Sequence, residues 1–331
     1  LNIQISKTEL QRALASIKKV KVAEGVDRVS YGMLRQLPQT CVDLLLRLYR
    51  RCWEEGVIPA GWKHAIVTPI PKPGKPRSQL GSYRPISLTS HVGKVYERIV
   101  KNRLEYHCER SGVLPRCQAG FRKGRGVTDH LVKLGSHVRK ALARRKLLVA
   151  FFFDIQRAYD TVWHRRLLEK VQKIGLSGKI YNFIKTFIQD RSFQVRWRGV
   201  ESTSRRLQMG VPQGSVIAPL LFNLILHDIE QVKIDSGTVT LFADDLAAWR
   251  ETTARRYWRP GCLCRWLPQA QSMVDRVTDY ATDCGFVLAA KKTQFMLFSK
   301  VRIDTKACTV TINGTPIQPT KVCKYLGVHF H

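Results

Sequence analysis

The sequence predicts an α+β fold, and three features support this prediction. Several segments have apolar residues at helical spacing, for example Leu10, Leu14 and Ile17. Other segments are continuous or alternating apolar runs of strand length, such as residues 146–153 and 193–197. With 331 residues and 44% apolar content, the chain can bury a large core in one elaborate domain or two subdomains.

Apolar periodicity locates the helices. The predicted helices cover residues 6–21, 39–54, 90–111, 127–145, 161–174 and 178–190. The fourth is strongly basic, and Gly175 provides a C-terminal stop for the fifth. Another apolar helix should follow Ser215, with Pro219 tolerated in its first turn.

Strand and loop signals complete the order of elements. The predicted strands cover residues 63–70, 146–153, 193–197, 200–207, 238–242, 246–249 and 325–331. Four prolines within residues 69–76 predict a loop, because proline at this density disrupts regular structure. Residues 114–127 are a Gly/Arg-rich connection, and residues 251–270, which lack periodicity, are expected to be a loop or an insertion.

Two adjacent carboxylates, Asp244 and Asp245, lie between the strand-like segments 238–242 and 246–249. Neighbouring side chains in a regular strand point to opposite faces, whereas at a hairpin tip both can approach one point. Their repulsion there favours a bound cation, and hard oxygen ligands suit Mg²⁺. The alternative interpretation is a polar turn without a metal.

A third carboxylate, Asp154, follows the apolar run 146–153, which is too short to span a membrane and is typical of a buried central strand. An ionised group at that place requires a partner or a metal. With Asp244 and Asp245 it would form a ligand set for two divalent ions in phosphoryl transfer. Alternatively Asp154 caps the next helix, although Asp160-Thr161 is better placed to do so.

Residues 208–215 contain two glycines and a proline and predict a sharp loop before an apolar helix. Glycine lets the backbone approach a ligand closely, and the Gln213 amide could hydrogen-bond a sugar or a base. The alternative is a plain loop-to-helix turn capped by Ser215.

Charge and composition indicate the class of partner. Lys and Arg (56) exceed Asp and Glu (25) by 31, and the basic residues are spread along the chain. This favours binding to nucleic-acid phosphates over a role in solubility. Nine scattered cysteines without zinc-finger spacing indicate reduced thiols of an intracellular protein. No signal peptide or apolar stretch of about 20 residues is present, so no membrane partner is expected.

Three blocks resemble motifs A, B and C of reverse transcriptases, in the version found in non-LTR (LINE-type) retrotransposons. They are Ala-Phe-Phe-Phe-Asp-Ile-Gln-Arg-Ala-Tyr at residues 150–159, Met-Gly-Val-Pro-Gln-Gly-Ser-Val-Ile-Ala-Pro-Leu-Leu-Phe at 209–222 and Phe-Ala-Asp-Asp at 242–245. Further blocks resemble, in the same order, two fingers motifs, the template-contacting block, motif D and the primer grip. These blocks are residues 70–75, 82–88, 119–125, 285–293 and 325–327.

The resemblance implies a right-hand polymerase fold with palm and fingers, in which helices back an antiparallel palm sheet. Residues 1–60 would be an amino-terminal extension of the fingers, and residues 61–331 a reverse transcriptase domain whose thumb is missing. The chain, which lacks an initial Met, would be a piece of a longer polyprotein. The implied activity is RNA-directed DNA synthesis for retrotransposition, with an RNA template, a DNA primer and dNTPs as partners. Such a protein is expected in the nucleus or cytoplasm, in the ribonucleoprotein of its element.

The family's catalytic roles carry over to matching residues. Asp154 and Asp244 would hold two Mg²⁺ ions, or Mn²⁺, with Asp245 as the third carboxylate. Lys292 would lie near the leaving pyrophosphate as a general acid, unless it is a surface lysine. Tyr159 would press against the incoming sugar and disfavour a 2′-hydroxyl, unless it is a core residue.

Other matching residues would contact the nucleotide or the nucleic acid. Lys72 and Arg84 would bind the triphosphate, unless they are solvated loop charges. Gln213 and Gly214 would line the nucleotide and template pocket. The residues expected at the template and primer are Arg122, Lys123, Arg125, Tyr325, Leu326 and Gly327.

Some positions depart from the family's pattern. Ala289 stands where motif D commonly has Asn, Gly126 stands where Ser is usual, and residues 254–266 do not match the helix expected after motif C. A decayed copy would be an RNA-binding protein without catalysis, and this is the alternative function. The three retained aspartates favour the polymerase, because a scaffold has no reason to keep converging charges. Tyr159 disfavours an RNA polymerase.

Overall fold

The computed structural model describes residues 1–331 except 21, 233, 236, 253–265, 302, 304, 306 and 307. The helices are α1 Lys7–Ala15, α2 Tyr31–Arg35, α3 Gln39–Glu55, α4 Ala60–Lys63, α5 His91–Arg110, α6 Val127–Ala143, α7 His164–Lys173, α8 Lys179–Ile188, α9 Ala218–Ile225 and α10 Leu267–Asp283. The strands are β1 His64–Pro71, β2 Tyr83–Leu88, β3 Leu147–Asp154, β4 Arg191–Trp197, β5 Val200–Glu201, β6 Arg205–Leu207, β7 Gly237–Phe242, β8 Asp245–Thr252, β9 Gln294–Phe298, β10 Val310–Ile312, β11 Thr315–Ile317, β12 Cys323–Tyr325 and β13 Val328–Phe330.

The chain forms two compact units. The first unit comprises Leu1–Val113 and Tyr159–Ile225, and the second comprises Leu114–Ala158 and Leu226–His331. Residues 1–60 pack within the first unit, and the predicted boundary at residue 60 stays a prediction. In the parts of the chain that the structure describes, no helix is long and apolar enough to cross a membrane.

A five-stranded sheet organises the first unit. Its order is β2-β1-β4-β5, with β6 also paired to β4, and β1 is antiparallel to β2 but parallel to β4. Aromatic side chains join its helices in the core. The ring of Tyr96 on α5 lies 5.2 Å from that of Tyr49 on α3 and 5.3 Å from that of Phe183 on α8. Such edge and offset contacts add to the free energy gained by burial.

An antiparallel four-stranded sheet of order β7-β8-β3-β9 organises the second unit. Its central strand β3 is buried from Leu147 to Phe153, as expected for a continuous apolar run. On one face, α6 contributes Leu134 to a cluster with Phe152. On the other face, Phe151 stacks on Phe295 of β9 with ring centroids 4.9 Å apart. The central strand is thus fixed on both faces and both edges.

Two predicted helices have different bounds in the structure. Helix α1 ends at Ala15 and not near residue 21, because the Ser16 hydroxyl donates to the Ala13 carbonyl 2.7 Å away at the helix end. Helix α7 begins at His164, so the prediction that Asp160-Thr161 caps it is wrong. Asp160 instead accepts a hydrogen bond from Gln213 at 3.5 Å.

Two predicted loops also need correction. Strand β1 continues through Pro71, although residues 69–76 were expected to be a loop. Pro69 faces Pro85 on β2, so neither missing N–H group interrupts a ladder hydrogen bond. In the predicted 251–270 loop, β8 extends to Thr252 and α10 begins at Leu267. Residues 253–265 of this predicted loop lie outside the described residues. The same holds for most of residues 254–266, which do not match the helix expected after motif C.

Candidate active site

The second unit brings the three predicted aspartates to one end of its sheet. Asp154 is the last residue of β3 and lies directly opposite Asp245, the first residue of β8. Phe242 and Asp245 are also paired, so Ala243 and Asp244 form a two-residue hairpin turn. The turn thus places Asp244 next to the facing pair.

The negative charges of this carboxylate cluster favour a positive charge beside it. Although Asp245 is exposed as a residue, partial desolvation of its carboxylate and the negative charges of Asp244 and Asp154 raise its pKa to about 6. Lys292 supplies one positive charge, because its Nζ lies 3.0 Å from Oδ2 of Asp154. The side chain of Lys292 is 68% exposed, so a stronger cation can displace it.

The donor set fits a divalent metal ion in its chemistry. Carboxylate oxygens are the ligands preferred by Mg²⁺, and mutual repulsion between them is relieved by a cation. No three His, Cys, Asp or Glu side chains within the described ranges are already arranged as a metal cage. A bound ion would therefore also have to reorient these side chains.

The segment after α10 fastens the end of β3. Ala289 N donates to the Asp154 carbonyl at 2.8 Å, and Ile155 forms an antiparallel bridge with Leu288. The buried Thr293 places its Oγ1 3.5 Å from the Asp154 amide. The predicted motif D thus positions the backbone of Asp154, even with Ala at position 289.

The first unit carries the residues predicted to bind the nucleotide. We call residues 209–217 the glycine loop. Val211 N in this loop donates to the Tyr159 carbonyl at 2.7 Å, and Ser87 N on β2 donates to the Gln213 carbonyl at 2.7 Å. Gly214 has φ +118°, and a Cβ there would lie 2.7 Å from the Ser87 carbonyl, so only glycine fits. Tyr159, Gln213 and Gly214 are thereby brought together.

The same loop also has the cap proposed as its alternative interpretation. The Ser215 hydroxyl accepts a hydrogen bond from Ala218 N at 3.1 Å, at the start of α9. Capping and nucleotide binding are compatible, because they use different residues of the loop.

Tyr159 is half-buried and packs on α9. Its ring stacks on Phe222 with centroids 5.2 Å apart and an interplanar angle of 21°. This contact covers one face of the ring and leaves part of the side chain accessible. Tyr159 therefore combines partial core packing with an accessible surface.

Lys72 and Arg84 both belong to the β1–β2 hairpin. Lys72 Nζ donates to the Gly81 carbonyl at 2.9 Å, and Arg84 is exposed opposite Ile70. Within the hairpin, both positive charges remain at the surface, as triphosphate binding requires.

Both arginines predicted to contact the template have hydrogen-bond partners inside the second unit. Arg122 is buried and donates to the carbonyl groups of Pro115 at 2.6 Å and Gln118 at 3.2 Å. Arg125 donates to the carbonyl of Gln118 at 3.3 Å, and Lys123 is exposed. The two guanidinium groups thus also stabilise this segment.

The predicted primer grip is the turn between β12 and β13. Tyr325 is buried against Phe152, with ring centroids 4.8 Å apart, and its hydroxyl lies 3.2 Å from Oγ1 of Thr240. Burial raises the pKa of Tyr325 to about 12. Leu326 and Gly327 both have positive φ, and Gly327 is exposed at the tip.

Sequence reasoning missed several supporting residues. Gln118 contacts the turn that bears Asp244, Thr293 contacts Asp154, Glu97 contacts the glycine loop and Phe222 supports Tyr159. Gln118 directly precedes the recognised block 119–125, which is the only local signal for it. The others act across long sequence separations that no local pattern reveals.

Comparison with known proteins gives a consistent result. Residues 70–330 match the family described as reverse transcriptase (RNA-dependent DNA polymerase). The chain is 33% identical to the probable RNA-directed DNA polymerase from transposon BS of Drosophila melanogaster, over 99% of this chain and 36% of that protein. It is 30% identical to the RNA-directed DNA polymerase from mobile element jockey of Drosophila funebris, over 96% of this chain and 34% of that protein.

The chain spans about a third of the length of these curated relatives. Its fold resembles that of apo telomerase from Candida tropicalis, with a TM-score of 0.51 at 14% identity, over 90% of this chain and 62% of that chain. The predicted right-hand polymerase fold, with its antiparallel sheet, is thereby confirmed.

Proposed function

Because the chain belongs to the reverse transcriptase family, we propose that it copies RNA into DNA by two-metal nucleotidyl transfer for a non-LTR (LINE-type) retrotransposon. The observation that supports this most directly is the convergence of Asp154, Asp244 and Asp245 at one end of the β3–β8 pair. In this proposal Asp154 and Asp244 hold two Mg²⁺ ions, and Asp245 is the third carboxylate. Bound metal would supply charge neutralisation at the reacting phosphate and activation of the primer hydroxyl.

The reaction joins the primer 3′-oxygen to the α-phosphorus of a dNTP and breaks the bond to pyrophosphate. The primer hydroxyl gives its proton to water, and the leaving pyrophosphate takes one up. Lys292 holds a proton on Nζ beside Asp154 and would deliver it to the pyrophosphate as a general acid. Its exposure allows it to regain a proton from water.

Residues of the first unit would select the substrate. Lys72 and Arg84 attract the triphosphate through their charges. Tyr159, held by Phe222, presses against C2′ of the incoming sugar and rejects ribonucleotides by steric conflict. Gln213 and Gly214, fixed by the contacts of the glycine loop with β2, line the base and template side.

The proposed macromolecular partners are an RNA template and a DNA primer, together with other domains of a longer polyprotein. A net charge of +31 supports binding to nucleic-acid backbones. Lys123 and Arg125 would contact the template, and Leu326 and Gly327 the primer. The buried Arg122 and Tyr325 would support these two segments from within. We place the protein in the nucleus or cytoplasm, within a ribonucleoprotein.

Primer extension on an RNA template, first with dNTPs and then with NTPs, tests the function. The wild-type chain should extend the primer with dNTPs in Mg²⁺. Asp154→Asn or Asp244→Asn should reduce extension by about 10³-fold or more, because loss of a metal ligand removes several kcal/mol of transition-state stabilisation. Binding to primer–template, measured by fluorescence anisotropy, should be retained.

Asp279→Asn is the matched control, since it removes an exposed carboxylate on α10 outside the site. It should extend the primer like the wild type. Substantial extension by Asp244→Asn would refute the metal assignment. A wild-type chain that binds primer–template without extending it would refute the polymerase and support the RNA-binding scaffold instead.

A further inference from the structure

The turn that bears Asp244 has an unfavourable backbone conformation. Ala243, its first residue, has φ +57°, in the left-handed region that L-residues other than Asn, Asp and Gly avoid. Such a conformation persists only where surrounding structure holds it. The position of both carboxylates after Ala243 depends on whatever provides that support.

The side-chain amide of Gln118 contacts both polar groups of Ala243. Its Oε1 accepts a hydrogen bond from Ala243 N at 3.0 Å, and its Nε2 donates to the Ala243 carbonyl at 3.3 Å. The same Oε1 accepts from Gly120 N at 2.8 Å. Gln118 is completely buried, so water cannot replace these bonds if they are lost.

The backbone around Gln118 is itself fixed to β7. Ala119 N donates to the Leu241 carbonyl at 2.9 Å, and Leu241 N donates to the Cys117 carbonyl at 2.8 Å. A Cβ at Gly120 would lie 2.1 Å from Ala243 N, so the segment approaches the turn as closely as glycine permits. The amide of Gln118 is therefore presented to the turn by a rigid support.

We propose that Gln118 is a positioning residue that holds the Ala243 turn in its left-handed conformation and so sets Asp244 and Asp245 for metal binding. The inference rests on the proposed function, since it assigns a further residue to the same site. An amide is suited to this task because it offers an acceptor and a donor at once. A carboxylate in its place could not donate to the Ala243 carbonyl, and an apolar side chain could do neither.

The decisive variant is Gln118→Met, which has a similar shape and lacks both hydrogen bonds. We expect the Mn²⁺ concentration for half-maximal binding, measured by electron paramagnetic resonance without nucleotide, to rise by about 10- to 100-fold, as for other residues that orient metal ligands. The Mg²⁺ midpoint of primer extension should rise in parallel. Amide hydrogen exchange at Ala243 and Gly120 should accelerate, and primer–template affinity should be unchanged.

His130→Leu is the matched control. His130 is also buried, its Nε2 lies 2.8 Å from the Leu241 carbonyl and its ring contacts Phe242, so its loss weakens the same strand while the hydrogen bonds between Gln118 and Ala243 stay intact. It should lower the melting temperature and leave the Mn²⁺ midpoint unchanged. An equal shift of the Mn²⁺ midpoint in His130→Leu would overturn the proposal, because the effect would then be general destabilisation.

A rescue experiment covers the case in which Gln118→Met folds poorly. Glycine adopts positive φ without support, so Ala243→Gly in the Gln118→Met background should restore folding and most of the Mn²⁺ affinity. The proposal would be overturned if folded Gln118→Met bound Mn²⁺ with the wild-type midpoint. It would also be overturned if the double variant recovered neither folding nor Mn²⁺ affinity. If the wild type binds Mn²⁺ but extends no primer, the polymerase proposal fails, while the Mn²⁺ titrations still decide the role of Gln118.

Discussion

At the scale of single residues, Asp245 shows how a cluster of carboxylates opposes folding. Its pKa of about 6 lies above the usual value near 4, so the folded state binds a proton more readily than the unfolded state between these values. The ionised carboxylate therefore reduces stability progressively as the pH rises from about 4 to about 6. Above pH 6 the full penalty is present, and a divalent cation would relieve it.

We predict that Asp245→Asn raises the metal-free melting temperature above pH 6 by roughly 1–3 °C, because it removes the repulsion. The difference from wild type should shrink toward pH 4. In Mg²⁺ the variant should gain less stability than the wild type. Differential scanning calorimetry across pH 4–8 checks this, with Asp279→Asn controlling for net charge. A lower melting temperature of Asp245→Asn above pH 6 would show that attraction, not repulsion, dominates at this carboxylate.

Tyr159 provides a second test at the residue scale. Tyr159→Ala should admit ribonucleotides and reduce the dNTP/NTP selectivity by about 10- to 100-fold, because the bulk beside the sugar is lost. Tyr159→Phe should retain the selectivity, since it keeps the ring and its stacking on Phe222. Single-nucleotide incorporation kinetics measure both.

Thermal melting of the same two variants distinguishes a steric gate against ribonucleotides from a packing role of Tyr159. Replacing a fully buried aromatic residue by alanine lowers the free energy of unfolding by about 3–5 kcal/mol, and the loss should be smaller for the half-buried Tyr159. Unchanged selectivity in a well-folded Tyr159→Ala protein would refute the steric gate and leave a packing role.

At the scale of elements, the glycine loop depends on one buried carboxylate from α5. Glu97 accepts hydrogen bonds from Val216 N at 2.7 Å and Ile217 N at 3.3 Å. Burial raises the pKa of Glu97 and lowers the pKa of Arg191 to about 10. The positive charge of Arg191 interacts with the Glu97 carboxylate. The loop, α5 and β4 are thereby linked through a buried charge cluster.

Removing this carboxylate should loosen the loop and destabilise the fold. Glu97→Ala should lower the free energy of unfolding by about 3–5 kcal/mol, because it leaves backbone donors and the positive charge of Arg191 uncompensated. Glu97→Gln, which keeps an acceptor oxygen, should cost less, and both should raise the KM for dNTPs. Urea unfolding and steady-state kinetics provide the measurements.

Glu105→Ala on the same helix is the comparison. Glu105 pairs with Lys101 at 2.9 Å, and its side chain is 19% exposed, so its loss should lower the free energy of unfolding by less than the loss of the buried Glu97. A cost of Glu97→Ala no larger than this would contradict a structural role for the buried carboxylate.

Local signals in the sequence predicted most elements of the fold. Helices α3, α5, α6 and α8 and strand β3 agree closely with their apolar spacing. Two of the errors arose where long-range contacts decided the outcome. Strand β1 continues through its prolines because β2 offers a matching Pro85, and α7 starts late because hydrogen bonds to the glycine loop hold residues 159–162.

The candidate site was predicted less completely than the fold. The opposition of Asp154 and Asp245 follows from the strand pattern, because Asp154 ends one strand, Asp245 lies at a hairpin tip, and these two places can meet. Gln118, Thr293 and Glu97 could not be found this way, since each acts on a group more than 100 residues away in sequence. Only the folded structure shows that they are buried and which backbone atoms they reach.

At the scale of the whole molecule, net charge is the feature that should govern the proposed binding of nucleic acid. The net charge of +31 predicts that affinity for primer–template falls by about 10³-fold or more between 50 and 200 mM salt, if six or more phosphates are contacted. Fluorescence anisotropy at several salt concentrations and fixed Mg²⁺ gives the slope. A nearly flat dependence would mean that the basic surface serves another purpose.

The central position of β3 has a consequence for synthesis on the ribosome. Its neighbours in the sheet, β8 and β9, begin about 90 and 140 residues after it ends. At roughly 5–20 residues per second, this apolar strand emerges several seconds before either partner exists. During that interval its N–H and C=O groups are unpaired and its phenylalanines lack their packing partners from β8 and β9. We therefore expect the nascent chain to bind chaperones, and its yield should depend on them more than on the stability of the finished protein.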